Sequence, residues 1–155
     1  MDPTINYHNI TNDYKKYGNS SLERLTSTNR GTNYVYQTIA FIANHKYYTY
    51  LYGYTNSSTS QIIIFDISGA TNYIQFNLSV NSEIGWKKGS FIYNSAATEN
   101  RSLAVNWGAT SDSTYVDGVG IVDLTEAFGE GNEPTKEWCD ENIDYFDGTT
   151  TVYKY

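Results

Sequence analysis

The sequence predicts an all-β fold, a two-sheet antiparallel jelly-roll sandwich with an N-terminal extended arm and one or two short C-terminal helices. Three observations predict it. Tyrosine fills 16 of 155 positions, and tyrosine favours pleated, half-buried surfaces over helices. Between residues 20 and 124, short runs of β-branched and aromatic residues are closed by Gly, Asn and Ser clusters at spacings of roughly 8–15 residues, as in strands joined by turns. The number of runs, about eight, suits two stacked sheets.

Taken in order, residues 1–19 are polar and follow neither a two-residue nor a helical period, so they read as an extended arm. Tyr7, Tyr14 and Tyr17 give that arm something to dock with. Strands are expected at 22–27, 35–43, 47–54, 61–66, 73–80, 86–93, 103–107 and 114–124, which makes 20–124 the sandwich. The segments 55–59 and 68–72 have the Gly/Asn/Ser chemistry of tight turns. Beyond Leu124 the period changes. Residues 125–128 form a one-turn helix candidate ended by Gly129, and Pro134 is expected to open a second helix reaching about Asn142. Glu133 and Glu137 would complement its dipole, while Trp138 and Ile143 would pack it on the body. Residues 125–155 thus read as a helical clasp and tail, with 145–155 a candidate edge strand.

A chain of this length forms one domain and buries roughly 70% of the surface it exposes when unfolded. The lone cysteine, Cys139, excludes an internal disulfide framework, so the core alone must hold the fold. It reads as a small, half-buried hydrophobe. A net charge of −7 without runs of like charge argues against a nucleic-acid partner. No window approaches a membrane span of roughly 18 apolar residues, and the opening Met1-Asp2-Pro3-Thr4 lacks a signal peptide's basic flank and apolar stretch. With two histidines and one cysteine, no zinc-type ligand set is available, and neither metal nor cofactor is expected.

Catalysis finds no constellation either. The acid pairs Asp140/Glu141 and Asp112/Asp117 could in principle flank a glycosidic bond, since glycoside hydrolysis needs two carboxyls about 5–10 Å apart. Adjacent acids on a short helix more commonly form a solvated face. His8 and His45 belong to no recognisable triad. The chain is therefore read as a non-enzyme.

Binding chemistry is easier to find. Sugars stack their C–H faces on aromatic rings while amide, carboxylate and phenol groups satisfy their hydroxyls. In the run 47–54, one face carries Tyr48, Tyr50, Tyr52 and Tyr54 and the other Tyr47, Thr49, Leu51 and Gly53, because successive side chains alternate. The even-numbered tyrosines, with Asn106 and Trp107, are the candidate carbohydrate-binding residues. If that row faces outward it forms an exposed aromatic strip, a usual mark of an interface. The competing arrangement buries the same rings in the core, where aromatic residues pair across strands. Trp86, following Gly85, reads as a core or rim anchor.

Two resemblances add to this reading. Ser21-Leu22-Glu23-Arg24-Leu25, His45-Lys46-Tyr47-Tyr48, Gly85-Trp86-Lys87-Lys88 and Tyr115-Val116-Asp117-Gly118-Val119 follow in order the landmarks of jelly-roll carbohydrate-binding modules appended to glycanases. Those modules usually open with an Asn…Phe-Glu segment whose oxygens, together with an acid of the last strand, hold a structural calcium. Here Asp117 takes the acid's place, but the opening pattern is absent. The second resemblance covers 117–146: Asp117-Gly118-Val119, Asp123-Leu124-Thr125-Glu126-Ala127-Phe128-Gly129, Gly131-Asn132-Glu133-Pro134-Thr135, Trp138-Cys139 and Tyr145-Phe146-Asp147-Gly148. This segment is similar to the close of jelly-roll domains in minor structural and tail proteins of phages and prophages of low-GC Gram-positive bacteria.

The resemblances imply a virion protein, a tail, tail-fibre or baseplate module that binds host cell-wall or surface glycan. It would be made in the host cytoplasm, contact other virion proteins and form a homo-oligomer on the particle. A capsid decoration or head-fibre protein using the same fold for protein contacts is the alternative. A bacterial carbohydrate-binding module is the third.

Overall fold

The computed structural model describes residues 8–24, 34–55, 62–66, 76–77, 85–107 and 114–144. Among the described residues nine strands precede two short helices: β1 (His8–Thr11), β2 (Ser21–Arg24), β3 (Tyr34–Phe41), β4 (Lys46–Thr55), β5 (Ile62–Asp66), β6 (Phe76–Asn77), β7 (Gly85–Asn94), β8 (Glu99–Trp107), β9 (Thr114–Asp123), α1 (Leu124–Phe128) and α2 (Lys136–Asn142). Every pairing is antiparallel. A five-stranded sheet runs β1-β2-β9-β4-β7 and a four-stranded sheet β3-β8-β5-β6, so the chain crosses between sheets as a jelly roll does.

The expected strands are present, with instructive shifts. β1 lies inside the segment read as an aperiodic arm and pairs Ile10 with Leu22 and Thr11 with Ser21. Four residues are too few for alternation to register. β8 starts four residues ahead of its expected position, because its polar opening, Glu99 to Ser102, continues the ladder with β3. There the Thr38 and Ser102 hydroxyls meet at 3.0 Å across the strands. Backbone bonding extends a strand where hydrophobicity does not mark it. The expected strand ends at 25–27, the flanks of β6 and the tail 145–155 lie outside the described residues.

The second helix begins later than the proline suggests. Thr135 is its N-cap, with a hydroxyl that accepts the Trp138 N–H at 3.3 Å, and Pro134 precedes the cap. Glu133 therefore lies outside the first turn, and of the two acids only Glu137 is in it. The first helix is capped by Asp123, which accepts the Glu126 N–H at 3.0 Å, and closes at Gly129 as expected. Neither helix is long and apolar enough to cross a membrane.

Two cores result. Between the sheets, Phe41, Tyr47, Leu51 and Val116 are buried and gather Ile39, Phe91, Val105 and Ile121 around them. On the opposite face of the five-stranded sheet, Tyr48, Tyr50 and Tyr52 pack with Leu124 and Cys139 beneath α1 and α2. The five-stranded sheet is thus covered on both faces.

β9 is irregular opposite the middle of β4. Tyr50 pairs with Gly120 and Tyr52 with Asp117, so Leu51 opposes two residues, Gly118 and Val119. This is a β-bulge, and Gly118 adopts φ +56°, the left-handed conformation such a bulge favours.

Candidate functional site

The even-numbered tyrosines do not form an exposed strip. Tyr48, Tyr50 and Tyr52 are 0%, 3% and 7% exposed. Each hydroxyl donates to the end of the clasp: Tyr48 to Asp140 Oδ1 at 2.8 Å, Tyr50 to the Asp144 carbonyl at 3.1 Å and Tyr52 to Asp144 Oδ1 at 2.5 Å. Lys88 stands over the same three rings, 5.3–6.0 Å from their centroids, and donates to the Asp140 and Ile143 carbonyls. It thereby satisfies C-terminal carbonyls of α2 that a helix leaves without partners. Burial pushes Lys88 down from its ordinary pKa against the pull of Asp140 and Asp144, and pushes Tyr48 and Tyr52 up, with their carboxylate partners adding to the rise. The row that alternation sets on one face is a docking surface for the chain's own C-terminal segment. A phenol at the end of each ring lets it bind a helix terminus as readily as a solute.

Tyr54 is half-buried among Tyr14 (5.0 Å between centroids), Tyr115 (5.8 Å) and Trp86 (5.7 Å). Trp86 is therefore a rim anchor, and the arm's Tyr14 docks as its ring suggests. Asn106 and Trp107 lie on β8 of the other sheet, opposite Ile63 and Ile62. The six candidates are divided between the two sheets. Of the remaining residues considered for chemistry, Asp112 and the His8 side chain lie outside the described residues, and three others have structural partners. Asp140 accepts from Tyr48, Ser90 and Lys136, His45 bonds Asp123 at 2.8 Å, and Cys139 is fully buried, its thiol pushed up to about 11 chiefly by that burial.

A different place is open. Where β1, β2 and the β9 bulge approach β3 and β8, the sandwich edge parts into a groove of about 460 Å³. Among the described residues five large apolar side chains are exposed, and three of them, Ile10, Tyr36 and Val119, line this groove. The bulge explains Val119: the extra residue turns it out of the ladder, and it is 51% exposed. Ser20, Gln37 and Asp117 bring polar groups to the same walls. Tyr36 stands where the groove meets the outer face of the four-stranded sheet, with Thr38 exposed two residues on and its hydroxyl on Ser102. An accessible ring bordered by hydroxyl, amide and carboxylate groups is what an uncharged polyhydroxylated ligand needs. Sequence reasoning missed this site, although a signal existed: Asp117-Gly118-Val119-Gly120 carries two glycines within a strand, the mark of a bulge or close backbone approach. At Gly120 that approach is real, since a Cβ there would overlap the Tyr50 ring.

Asp117 does not suit the calcium that the first resemblance associates with its position. Its Oδ2 accepts the N–H groups of Lys16 (3.0 Å) and Tyr17 (2.8 Å), and its Oδ1 accepts that of Gly118 (2.7 Å). Three N–H dipoles point their positive ends where a cation would sit. Among the described residues no group of three or more His, Cys, Asp or Glu is placed to hold a metal.

No protein-family model matches the chain, and no curated protein sequence is significantly similar to it. Solved structures are similar in fold. A family 16 carbohydrate-binding module matches with a TM-score of 0.54 and 16% identity, over 78% of this chain and 89% of its own. The CBM22-1 xylan-binding domain of Paenibacillus barcinonensis Xyn10C matches with a TM-score of 0.52 and 16% identity, over 74% of this chain and 78% of its own. The N-terminal CBM22-1–GH10 modules of Clostridium thermocellum endo-1,4-beta-D-xylanase 10B, complexed with xylohexaose, match with a TM-score of 0.55 and 11% identity, over 76% of this chain and 24% of theirs. At these identities the likeness is one of fold, and that fold is the jelly roll of carbohydrate-binding modules.

Proposed function

We propose that the chain is a non-catalytic carbohydrate-binding module whose sugar site is the groove at the open sandwich edge, centred on Tyr36. The observation that carries this reading is the gathering of Ile10, Tyr36 and Val119 in one groove beside Ser20, Gln37 and Asp117. The likeness of fold to carbohydrate-binding modules supports it. Tyr36 supplies the stacking face, and Ser20 and Gln37 fix the orientation of the ring hydroxyls. The test is isothermal calorimetry and affinity electrophoresis with soluble xylan and with purified wall polysaccharide of low-GC Gram-positive cells. Tyr36→Ala is expected to weaken binding at least about tenfold, in line with the loss of roughly 1.4 kcal/mol or more, with the melting temperature unchanged. Wild-type affinity in that variant would move the site elsewhere, and absence of binding to every glycan tried would end the reading.

The setting we propose is a phage particle, on the resemblance of 117–146 to the close of phage and prophage tail-protein domains. The glycan is then host cell wall or surface carbohydrate, the neighbours are other virion proteins, and copies assemble on the particle. A second reading, a bacterial carbohydrate-binding module, is favoured by the fold neighbours. Mass spectrometry and immunogold labelling of purified particles separate the two: the chain in the particle supports the first, and its absence from particles with binding intact supports the second.

A further inference from the structure

Asp117 is where arm, bulge and groove meet. Lys16 and Tyr17 present successive amides to one of its oxygens. Consecutive N–H groups turned to one side form a concavity for an anion, and the anion here is the protein's own carboxylate. The other oxygen takes the Gly118 amide, inside the bulge itself. The arm segment is secured around this point: the Tyr17 ring meets Tyr52 edge-on at 5.0 Å, its hydroxyl donates to Asp144 at 2.6 Å, and the Lys16 ammonium lies 5.5 and 5.6 Å from the Tyr17 and Tyr52 centroids. Gly18 follows at φ +59°, which lets the chain turn back toward β2. One carboxylate thus joins the arm to residues 117–119, and Val119 projects from that bulge into the groove.

We propose that the Lys16–Tyr17 turn takes the place of a structural cation at Asp117 and, through the bulge, positions Val119 and the groove wall for ligand. Asp117 is then a positioning residue. The first half rests on hydrogen bonds alone; the second rests on the groove being the sugar site, as proposed above.

Three variants and three measurements test it. Amide hydrogen exchange followed by NMR is expected to show slow Lys16 and Tyr17 amides in the wild type and at least tenfold faster exchange in Asp117→Ala. Asp117→Asn, which keeps the shape and removes the charge, gives a smaller change in the same direction and serves if the alanine variant does not fold. Melting in 5 mM calcium chloride and in EDTA is expected to give equal midpoints for the wild type. A calcium-dependent rise that Asp117→Asn abolishes would overturn the substitution of arm for cation. Affinity for soluble xylan or wall polysaccharide, whichever the wild type binds, is expected to fall about three- to tenfold in Asp117→Asn, while Tyr36→Ala loses more and leaves the arm amides protected. Unchanged affinity in Asp117→Asn despite released amides would overturn the coupling of arm to groove. If the wild type binds neither polysaccharide, the sugar reading and the coupling fall together, while exchange and calcium response still decide the role of the turn.

Discussion

Strand β4 carries tyrosine on both faces, and the two layers it touches are built differently. Between the sheets, Tyr47 packs edge-on against Phe41 at 4.6 Å beside Leu51 and Val116, and its hydroxyl accepts the Ile42 N–H at 2.8 Å and bonds the Asp123 carboxylate. On the other face, Tyr48, Tyr50 and Tyr52 pack as closely but direct their hydroxyls to Asp140 and Asp144 beside a half-buried Lys88. The inner layer is held chiefly by burial of apolar surface. The outer layer joins burial to charge-assisted hydrogen bonds, so it specifies where the clasp sits as well as holding it there. An aromatic side chain leaves the choice open; the groups that meet its hydroxyl make it.

The largest expected effect breaks the inner layer. Leu51→Ala, at a position with no solvent exposure, should lower stability by about 2–5 kcal/mol through lost burial and a cavity, as measured by urea unfolding. Next, Tyr48→Phe keeps the ring and removes a bond to the Asp140 carboxylate, an expected loss of about 1.5–3 kcal/mol. A loss close to zero in Tyr48→Phe would remove the distinction drawn between the layers. Gly120→Ala should cost about 1–3 kcal/mol by overpacking, because the Tyr50 ring that a Cβ would meet is buried and bonded to Asp144. A neutral result would mean that the clasp yields easily.

The smallest effect is acid sensitivity, and it should appear in the outer layer first. Burial works against the charged forms of Asp123 and Asp140, yet hydrogen bonds outweigh it, from the Glu126 amide, His45 and Tyr47 for the first and from Lys136, Ser90 and Tyr48 for the second; both carboxyls lie below their ordinary value of 3.8. Glu133 is brought down from 4.5 to about 2 by its own backbone amide, the Thr125 hydroxyl and the Lys46 ammonium. A carboxyl depressed by folding stabilises fully above its unfolded pKa, and that contribution fades as pH falls through the folded value. The clasp should therefore loosen between about pH 4.5 and 2, with α2 amides exchanging faster before those of the inter-sheet strands. Glu133→Gln should make the melting temperature depend less steeply on pH over that window, and an unchanged slope would exclude Glu133 as a source of it.

Much of the architecture was legible. Runs of β-branched and aromatic residues punctuated by Gly, Asn and Ser mark the strands, and Gly129 marks the end of α1. What escaped lies where local pattern is silent. β1 is too short for a period, and β8 is prolonged by cross-strand bonding of polar residues such as Ser102. Pro134 suggested the start of α2, but Thr135 is placed to cap it. The candidate site was the least legible part, since alternation puts Tyr48, Tyr50 and Tyr52 on one face without saying what covers it. Tyr36 and Val119 become groove residues only when strands remote in sequence are brought together.

By itself the sequence determined the β class, the approximate strands and the joint orientation of the tyrosine row, because these follow from the two-residue repeat of an extended chain and from the conformational preferences of single residues. Tertiary structure alone decided that the row receives the C-terminal helix, that Asp117 holds the amides of the arm, and that a bulge opens a groove at the far edge. Those outcomes depend on which polar groups meet after the sheets stack, and partners such as Tyr17 and Asp117, one hundred residues apart, leave no periodic trace along the chain.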